Sequence, residues 1–365
     1  MQINISRDEL LRPLNVVTNV VERRQTLPIL ANVYLRLESG RFTVIGTDLE
    51  IEITSSIEDV RGKDGECTVT ARKLLDICRA LPEKADVTLA TDKGKLAIRS
   101  GRSRFSLQTL PAEDFPRLET KHWNRRLELK QRDLKGLLER TAFAMAHQDV
   151  RYYLNGLLLE IEDDTLRVVA TDGHRLAKSE VAIVGQEHNH QAILPRKAVL
   201  EMSRLLEESD ALVSIELNPN HLQATVGNLV FTSKLIDGRF PDYAAVIAPV
   251  LRETLLLDRQ AFAEMLNRAA ILTNEKYRGI RIGVEPEKMS VSASSPDQEE
   301  ANDEMPIDYE GDKIEIGFNV SYLLDAVKAL GSEQIQLRLQ DANSSCTLNV
   351  PGDTATQYLV MPMRI

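Results

Sequence analysis

Cysteine is nearly missing from this chain: 365 residues contain three, Cys67, Cys78 and Cys346. Scattered and odd in number, they make neither a disulfide framework nor a paired metal-binding spacing. A reducing cytosol suits them better than an oxidising compartment. Histidine is also scarce, at six, and only His188 and His190 share a loop, with no cysteine beside them. A metal centre needs three or more convergent ligands, so no resident metal or cofactor is expected. No stretch approaches the ~18 consecutive apolar residues of a membrane-spanning helix. The opening, MQINISRDEL, lacks the basic start and apolar run of a signal peptide. A cytoplasmic protein is the expectation. Positive charge is not in excess either. A formal net charge of −10 argues against indiscriminate adhesion to nucleic acid, although a basic surface can be segregated within an acidic whole. A P-loop is lacking, and so is any helix with a base-reading motif.

What the chain does have is internal repetition. Leu74-Leu75-Asp76 followed by Ala80-Leu81 returns as Leu323-Leu324-Asp325 followed by Ala329-Leu330, an offset of 249 residues. Halfway between, Thr47-Asp48 is matched by Thr171-Asp172 and Arg72-Lys73 by Arg196-Lys197, each offset by 124, and Phe115-Pro116 by Phe240-Pro241, offset by 125. Periods of about 20–50 residues would indicate solenoids or propellers; a unit of about 120 is a whole domain. One domain is used three times, with expected bounds 1–120, 127–245 and 250–365. The connections fall in the polar stretch 117–126, which holds Trp123, and in 244–252.

Each unit opens on an amphipathic helix. Ser6 and Glu9 form a capping box ahead of Leu10, Leu14, Val17 and Val21 at helical spacing, with Pro13 expected to kink the helix or shift its start. Leu134, Leu138, Thr141 and Met145 repeat that stripe, and Phe262, Leu266 and Ala269 continue it after Asp258. Alternating segments such as 42–46 and 166–170 read as strands. A second helix follows at 72–81, 196–207 or 320–330, and then further strands. The fold class is α+β, two helices on a mainly antiparallel sheet in each unit.

Several clusters invite chemistry. Asp172 and His174, in Thr171-Asp172-Gly173-His174-Arg175, could serve a hydrolase or nuclease as an acid/base or metal pair. Against this, Asp48 occupies the matching position where Leu49-Glu50 replaces the glycine and histidine, and Asp-Gly is a strong turn pair. Residues 297–304 hold five acidic side chains but lack the glycine and ligand spacing of a calcium loop. Gly101-Arg102-Ser103-Arg104-Phe105 offers the opposite charge beside an aromatic ring. The tail Val360-Met361-Pro362-Met363-Arg364 is apolar where termini are usually polar, and methionine recurs at surfaces that accept several partners. The tail also reads as the end of a last edge strand, completing the sheet of the third unit.

Along its whole length the chain resembles the bacterial DNA polymerase III beta subunit, the replicative sliding clamp. The resemblance rests on Arg72-Lys73, the segments 150–156 (VRYYLNG) and 170–176 (ATDGHRL), Phe231-Thr232-Ser233-Lys234, and Phe240-Pro241-Asp242-Tyr243. It continues through 274–279 (NEKYRG), 317–322 (GFNVSY) and the tail. It implies a head-to-tail homodimer of three-domain chains closing as a ring around double-stranded DNA, loaded by a separate clamp loader. DNA contacts, to the backbone and independent of sequence, would come from Arg24, Arg72, Gln148, Tyr152, Tyr153, Arg196 and Lys197, the two tyrosines being equally suited to a core.

DNA polymerases, the clamp loader and repair proteins would dock short linear motifs in a peptide groove. Its walls would be Leu154, Thr171, Gly173, His174, Arg175, Leu176, Pro241, Val246, Asn319, Tyr322, Ser345, Val360, Met361, Pro362, Met363 and Arg364. Ala245 departs from the basic residue the family often carries before the groove valine. The dimer seam would join Lys73, Ile77, Arg102, Arg104, Phe105 and Leu107 to Arg268, Ile271, Leu272, Glu299, Glu300, Asp303 and Glu304, with opposite charges fixing orientation around an apolar centre.

Overall fold

The computed structural model describes every residue except 23–26, 119–121, 185–188, 248–252, 296–298 and 365. Arg24, His188 and Asp297 therefore lie outside the described residues.

The chain runs three times through one order: strand, helix, three strands, strand, helix, three strands. The first pass is β1 (Gln2–Ser6), α1 (Arg7–Val17), β2 (Asn32–Glu38), β3 (Arg41–Thr47), β4 (Ile51–Ile57), a two-residue extra strand β5 (Gly62–Lys63), β6 (Gly65–Thr70), α2 (Ala71–Ala80), β7 (Asp86–Asp92), β8 (Lys95–Ser100) and β9 (Ser103–Leu110). The second is β10 (Arg125–Lys130), α3 (Gln131–Thr141), β11 (Gly156–Glu162), β12 (Thr165–Thr171), β13 (Arg175–Ala182), β14 (His190–Pro195), α4 (Arg196–Leu205), β15 (Leu212–Leu217), β16 (His221–Val226) and β17 (Leu229–Lys234). A one-turn helix α5 (Ala244–Ile247) follows, inside the stretch expected to be a plain connection. The third pass is β18 (Glu253–Asp258), α6 (Arg259–Ala270), β19 (Gly279–Glu285), β20 (Lys288–Ser294), β21 (Glu300–Pro306), β22 (Ile314–Asn319), α7 (Val320–Ala329), β23 (Gln334–Leu339), β24 (Cys346–Asn349) and β25 (Gln357–Val360).

Local chemistry accounts for the helix starts. At α1 the capping box is complete: Glu9 N donates to Ser6 Oγ at 3.2 Å and Ser6 N to Glu9 Oε2 at 3.1 Å. Pro13 does not shift the helix's start, which stays at the Ser6 cap; it is one of the residues buried on the helix's inner face, with Leu10, Leu14 and Val17. Asp258 caps α6 through Ala261 N, and Asn319 caps α7 through Ser321 N and Tyr322 N. The inner face of α2 is Ala71, Leu74, Leu75 and Cys78, and that of α7 is Val320, Leu323, Ala326 and Val327. Helix α1 lies so close to β3 that a Cβ on Gly46 would stand 2.7 Å from both the Val17 side chain and its carbonyl oxygen. The matching residue in the second pass is Ala170, fully buried.

All pairings between named strands are antiparallel. Within each pass the first strand joins the last three (β1-β7-β8-β9, β10-β15-β16-β17, β18-β23-β24-β25), and the other four pair among themselves. Between passes, the last strand of one adds to a sheet of the one before. Strand β17 pairs with β4, Phe231 opposite Ile53, and β25 pairs with β13, Leu359 opposite Leu176. Compact units therefore cut across the repeat: residues 1–132 with 200–235 form one, and 133–199 with 236–365 the other. In the first unit a 13-stranded sheet runs from β10 to β5; the second holds sheets of eight and four strands. The last strand is not the edge element its position in the chain predicts. It lies inside the eight-stranded sheet, between β13 and β24.

Candidate functional site: an apolar groove on the second unit

Turn chemistry shapes one wall. Between β12 and β13, Asp172 Oδ1 accepts hydrogen bonds from His174 N and Arg175 N at 2.9 and 3.0 Å, and Thr171 Oγ donates to Arg175 O at 2.6 Å. The first pass repeats this turn atom for atom. Asp48 Oδ1 accepts from Glu50 N and Ile51 N at 2.9 and 2.7 Å, and Thr47 Oγ donates to Ile51 O at 2.8 Å. The aspartate's task is a turn in both copies. His174 stacks on Tyr322 at 6.4 Å between ring centres. Among the described residues, no three His, Cys, Asp or Glu side chains converge to hold a metal ion.

Arg175 locks the turn to the third pass. Its guanidinium donates to Asp172 Oδ2 at 3.0 Å, Asp325 Oδ2 at 2.5 Å and Phe143 O at 2.7 Å, and it lies 4.6 Å from the Tyr322 ring centre. Charge-assisted bonds of this kind, with the guanidinium stacked on a ring, suit arginine and not lysine. Arg151 makes a two-pronged contact with Asp149, at 3.0 and 2.8 Å, and also donates to Asp172 O. Those bonds hold the Asp149 carboxyl down at about 2.

These elements enclose a cavity of about 180 Å³ lined by Arg151, Leu154, Thr171, Gly173, Arg175, Leu176, Pro241, Asp242, Tyr243, Val246, Leu359 and Met361. Its floor belongs to a buried cluster of Leu158, Val169, Leu176, Ile193, Phe240 and Leu359, on which Tyr153, Tyr243, Ile247 and Met361 pack. The tail is tied along this region by main-chain bonds, Met361 N to His174 O at 2.8 Å and Met363 N to Gly317 O at 2.9 Å. Met363 and Arg364 line a second cavity with Asn274, Tyr277, Gly279, Ser294 and Ser295.

The expected groove residues thus divide. Leu154, Thr171, Gly173, Arg175, Leu176, Pro241, Val246 and Met361 line one cavity. Val360 is buried opposite Arg175 in the sheet. Asn319 is engaged as the α7 cap and in donating to Tyr277 O, and Tyr322 sits beneath Arg175. Ser345 is half-buried with an intramolecular partner, and Pro362 is half-buried in the tail. Sequence reasoning missed Arg151, Asp242, Tyr243 and Leu359 as lining. The first three stand inside the very segments that carried the family resemblance, and Leu359 is one residue before the tail.

The first pass does not repeat the groove's apolar floor, because two facing residues differ between these copies. Tyr34, Ile45 and Phe115 of the first pass cluster as Leu158, Val169 and Phe240 do in the second. Where the second has Leu176 facing Leu359, the first has Glu52 facing Thr232. Glu52 is buried and held by Arg117 at 2.9 and 3.0 Å and by Leu118 N at 3.1 Å. A buried carboxylate, paired with a half-exposed arginine, stands where the groove has leucine.

Gly173 carries a testable demand. Its φ is +89°, and an added Cβ would meet Arg151 Nη1 at 3.0 Å. The matching Leu49 adopts φ 78° in the first pass, so the turn can be built with a side chain at the cost of left-handed strain, and at Gly173 the collision with Arg151 comes on top of that strain. Gly173→Ala should destabilise the fold by about 1–2 kcal/mol in urea titration, the left-handed penalty, and should displace Arg151 from the groove.

Elsewhere the expected residues are spread over the surface. Arg72 and Lys73 are exposed at the start of α2, while Ile77 is half-buried. Arg196 and Lys197 open α4 half-buried, Arg196 donating to Met145 O at 3.2 Å and Lys197 also engaged within the chain. Gln148 is exposed. The tyrosine pair splits: Tyr152 is 57% exposed, whereas Tyr153 packs on the groove cluster. On β9, Arg104 and Phe105 are exposed and Leu107 half-buried, with Arg102 exposed in the preceding turn. Glu299, Glu300 and Glu304 are exposed along or beside β21; Asp303 is paired with Arg268 at 2.5 Å. Ile271 is 76% exposed and Leu272 half-buried.

Comparison with known proteins bears on what this arrangement belongs to. Models of the N-terminal, central and C-terminal domains of the DNA polymerase III beta subunit match residues 1–119, 128–242 and 249–364 in turn. A beta sliding clamp of Pseudomonas putida is 49% identical, with all of both chains covered. A crystal structure of the DNA polymerase sliding clamp from Pseudomonas aeruginosa with ligand superposes at a TM-score of 0.98, 46% identical over the whole of both chains. Another clamp structure from that organism, bound to griselimycin, gives 0.97 at 47% identity and the same coverage. Three consecutive domain matches and full-length relatives near half identity leave one assignment: the chain belongs to the DNA polymerase III beta subunit family, the beta sliding clamps.

Proposed function

We propose that two copies of this non-catalytic processivity subunit close head to tail around duplex DNA and tether polymerases through the apolar groove. One observation carries the ring: among the described residues, the rule by which passes join leaves two strand sides without a partner. Strand β17 pairs with β4 and β25 with β13, so β9, the counterpart of β17 and β25, awaits a counterpart of β4. That counterpart is β21, paired on one side only, with β20. Apart from Thr109 and Leu110, which meet β6, β9 is likewise open on one side. Exposed strand edges are ordinarily blocked against association. Here they carry complementary charge instead, Arg102 and Arg104 against Glu299, Glu300 and Glu304, and Phe105, Leu107, Ile271 and Leu272 provide an apolar centre. The family bounds support domains at 1–120, 127–245 and 250–365, six in the closed ring.

Inside such a ring, contacts to phosphates suffice for DNA to be held without reading its sequence. Arg72, Arg196, Lys197, Gln148 and the exposed Tyr152 supply them in the described part of the chain. Neutralising Arg72, Arg196 and Lys197 together should weaken DNA binding alike on any sequence. The slope of log affinity against log salt should fall by about 0.9 for each phosphate no longer neutralised. Filter binding across a salt series measures this, and an unchanged slope would remove these residues from the lining.

Family membership supports polymerases as occupants of the groove; clamp loader and repair proteins follow from the same motif chemistry. An extended segment of a few residues fits an apolar cleft of this kind, side-chain pockets setting specificity. Tethering raises processivity because re-binding of the polymerase becomes intramolecular, at high effective concentration. Retention on nicked circular DNA, with release once the circle is cut, tests the whole reading. Equal release from circular and linear DNA would defeat it. Among the described residues no helix is long and apolar enough to cross a membrane, and we place the protein in the cytoplasm with the replication machinery.

A further inference from the structure

Tyr243 faces two ways. Its ring lines the groove and packs on the groove's buried cluster. Its hydroxyl leaves the groove for a polar pocket behind the Pro241–Tyr243 segment, lined among others by Glu160, Arg167 and Gln191. There it donates to Glu160 Oε2 and accepts from Arg167 Nη1 at 3.2 Å. The acceptor is itself immobilised: Glu160 takes Arg167 Nη1 at 2.7 Å and Gln191 Nε2 at 2.6 Å, and Arg167 reaches on to Glu180 at 2.8 Å. Burial pushes the Glu160 carboxyl up, but bonds from Tyr243, Arg167 and Gln191 outweigh it and hold the group below its usual range. From the same residue, the Tyr243 carbonyl accepts Val246 N at 3.1 Å and Ile247 N at 3.2 Å, starting the single turn of α5 that carries Val246 into the groove. A helix of one turn has almost no stability of its own, so its position is set by what anchors the residue that precedes and caps it, Tyr243.

We propose that Tyr243 is a positioning residue for the groove: its hydroxyl, fixed by the Glu160–Arg167 network on the far side of the wall, sets the placement of Val246 and the width of the cleft. This rests on the groove being the site for partner peptides. Loosening the hydroxyl removes no apolar contact, because the ring remains, but frees the wall to move.

The test is a double-mutant cycle on affinity for a short synthetic peptide ending in Leu-Phe, measured on the full chain. Tyr243→Phe and Glu160→Gln should each weaken binding by about tenfold, mostly through faster dissociation. The double variant should be no weaker than either single, since contacting residues in one network do not add. Dimer sedimentation and the salt slope for DNA should not move. If Tyr243→Phe binds as the unchanged protein does, or if the two effects multiply, the coupling is overturned and Tyr243 is apolar lining only. Should Glu160→Gln fail to fold by its thermal transition, Gln191→Leu, which frees the other oxygen of Glu160, replaces it in the cycle. Failure of the unsubstituted protein to bind the peptide at all would instead overturn the groove reading, a distinguishable result.

Discussion

Removing the last five residues, from Met361 onward, should weaken binding of a short apolar peptide by thirtyfold or more. Met361 lines the groove and packs on its buried cluster, and its main-chain nitrogen is bonded to His174 O. Loss of a buried anchor pocket typically costs about 2 kcal/mol or more, which is that thirtyfold factor. The fold should persist, because the whole of β25 ends at Val360 and keeps its pairing with β13 and β24. What is removed from the fold is the packing of Met361 and two main-chain bonds, to His174 and Gly317. Dimerisation and residence on circular DNA, which the proposed ring assigns to other surfaces, should stay near normal. Calorimetry with the peptide decides the matter: unchanged affinity in the truncated chain would end the assignment of this cleft to partners.

The second large effect concerns assembly. Arg102→Glu with Arg104→Glu should shift the proposed dimer toward monomer at low concentration, since like charges would then face Glu299, Glu300 and Glu304. Juxtaposed like charges across an interface cost several kcal/mol. Adding Glu299→Arg and Glu300→Arg should restore much of the association. Asp303 is a poorer choice for the rescue because Arg268 already holds it within its own chain, at 2.5 Å. Analytical ultracentrifugation of the four-site and two-site variants gives the answer. A two-site variant that sediments like the unsubstituted chain would show that β9 and β21 do not meet.

Much of this protein is legible in its amino-acid sequence. The threefold repeat, the α+β class and the second helix of each unit, at 71–80, 196–205 and 320–329, follow from periodicity and from motifs that recur at a fixed offset. Such signals are local, and each repeat states them again. Thr47-Asp48 and Thr171-Asp172 announce one turn twice, and the protein builds that turn with the same bonds in both copies. Repetition also argues against chemistry at Asp172, since the first copy keeps the aspartate without the histidine.

Other properties belong to the tertiary structure alone. Pairing of β17 with β4 and of β25 with β13 joins residues more than 170 positions apart, and no local pattern records a register between distant strands. That pairing puts Leu359 opposite Leu176 and makes an apolar floor, while the first copy's Glu52, drawn to Arg117, closes the equivalent place with charge. Tyr243 reads as part of a family segment; only packing reveals that its ring and its hydroxyl lie on opposite sides of a wall. The family resemblance marks Arg175 as groove lining, and its bonds also make it a clamp on Asp172, Asp325 and Phe143. Sequence determined the elements and their threefold use because caps, turns and periodic faces act over a few residues. Tertiary structure decided where a groove opens, because that depends on which two distant side chains the sheet sets face to face.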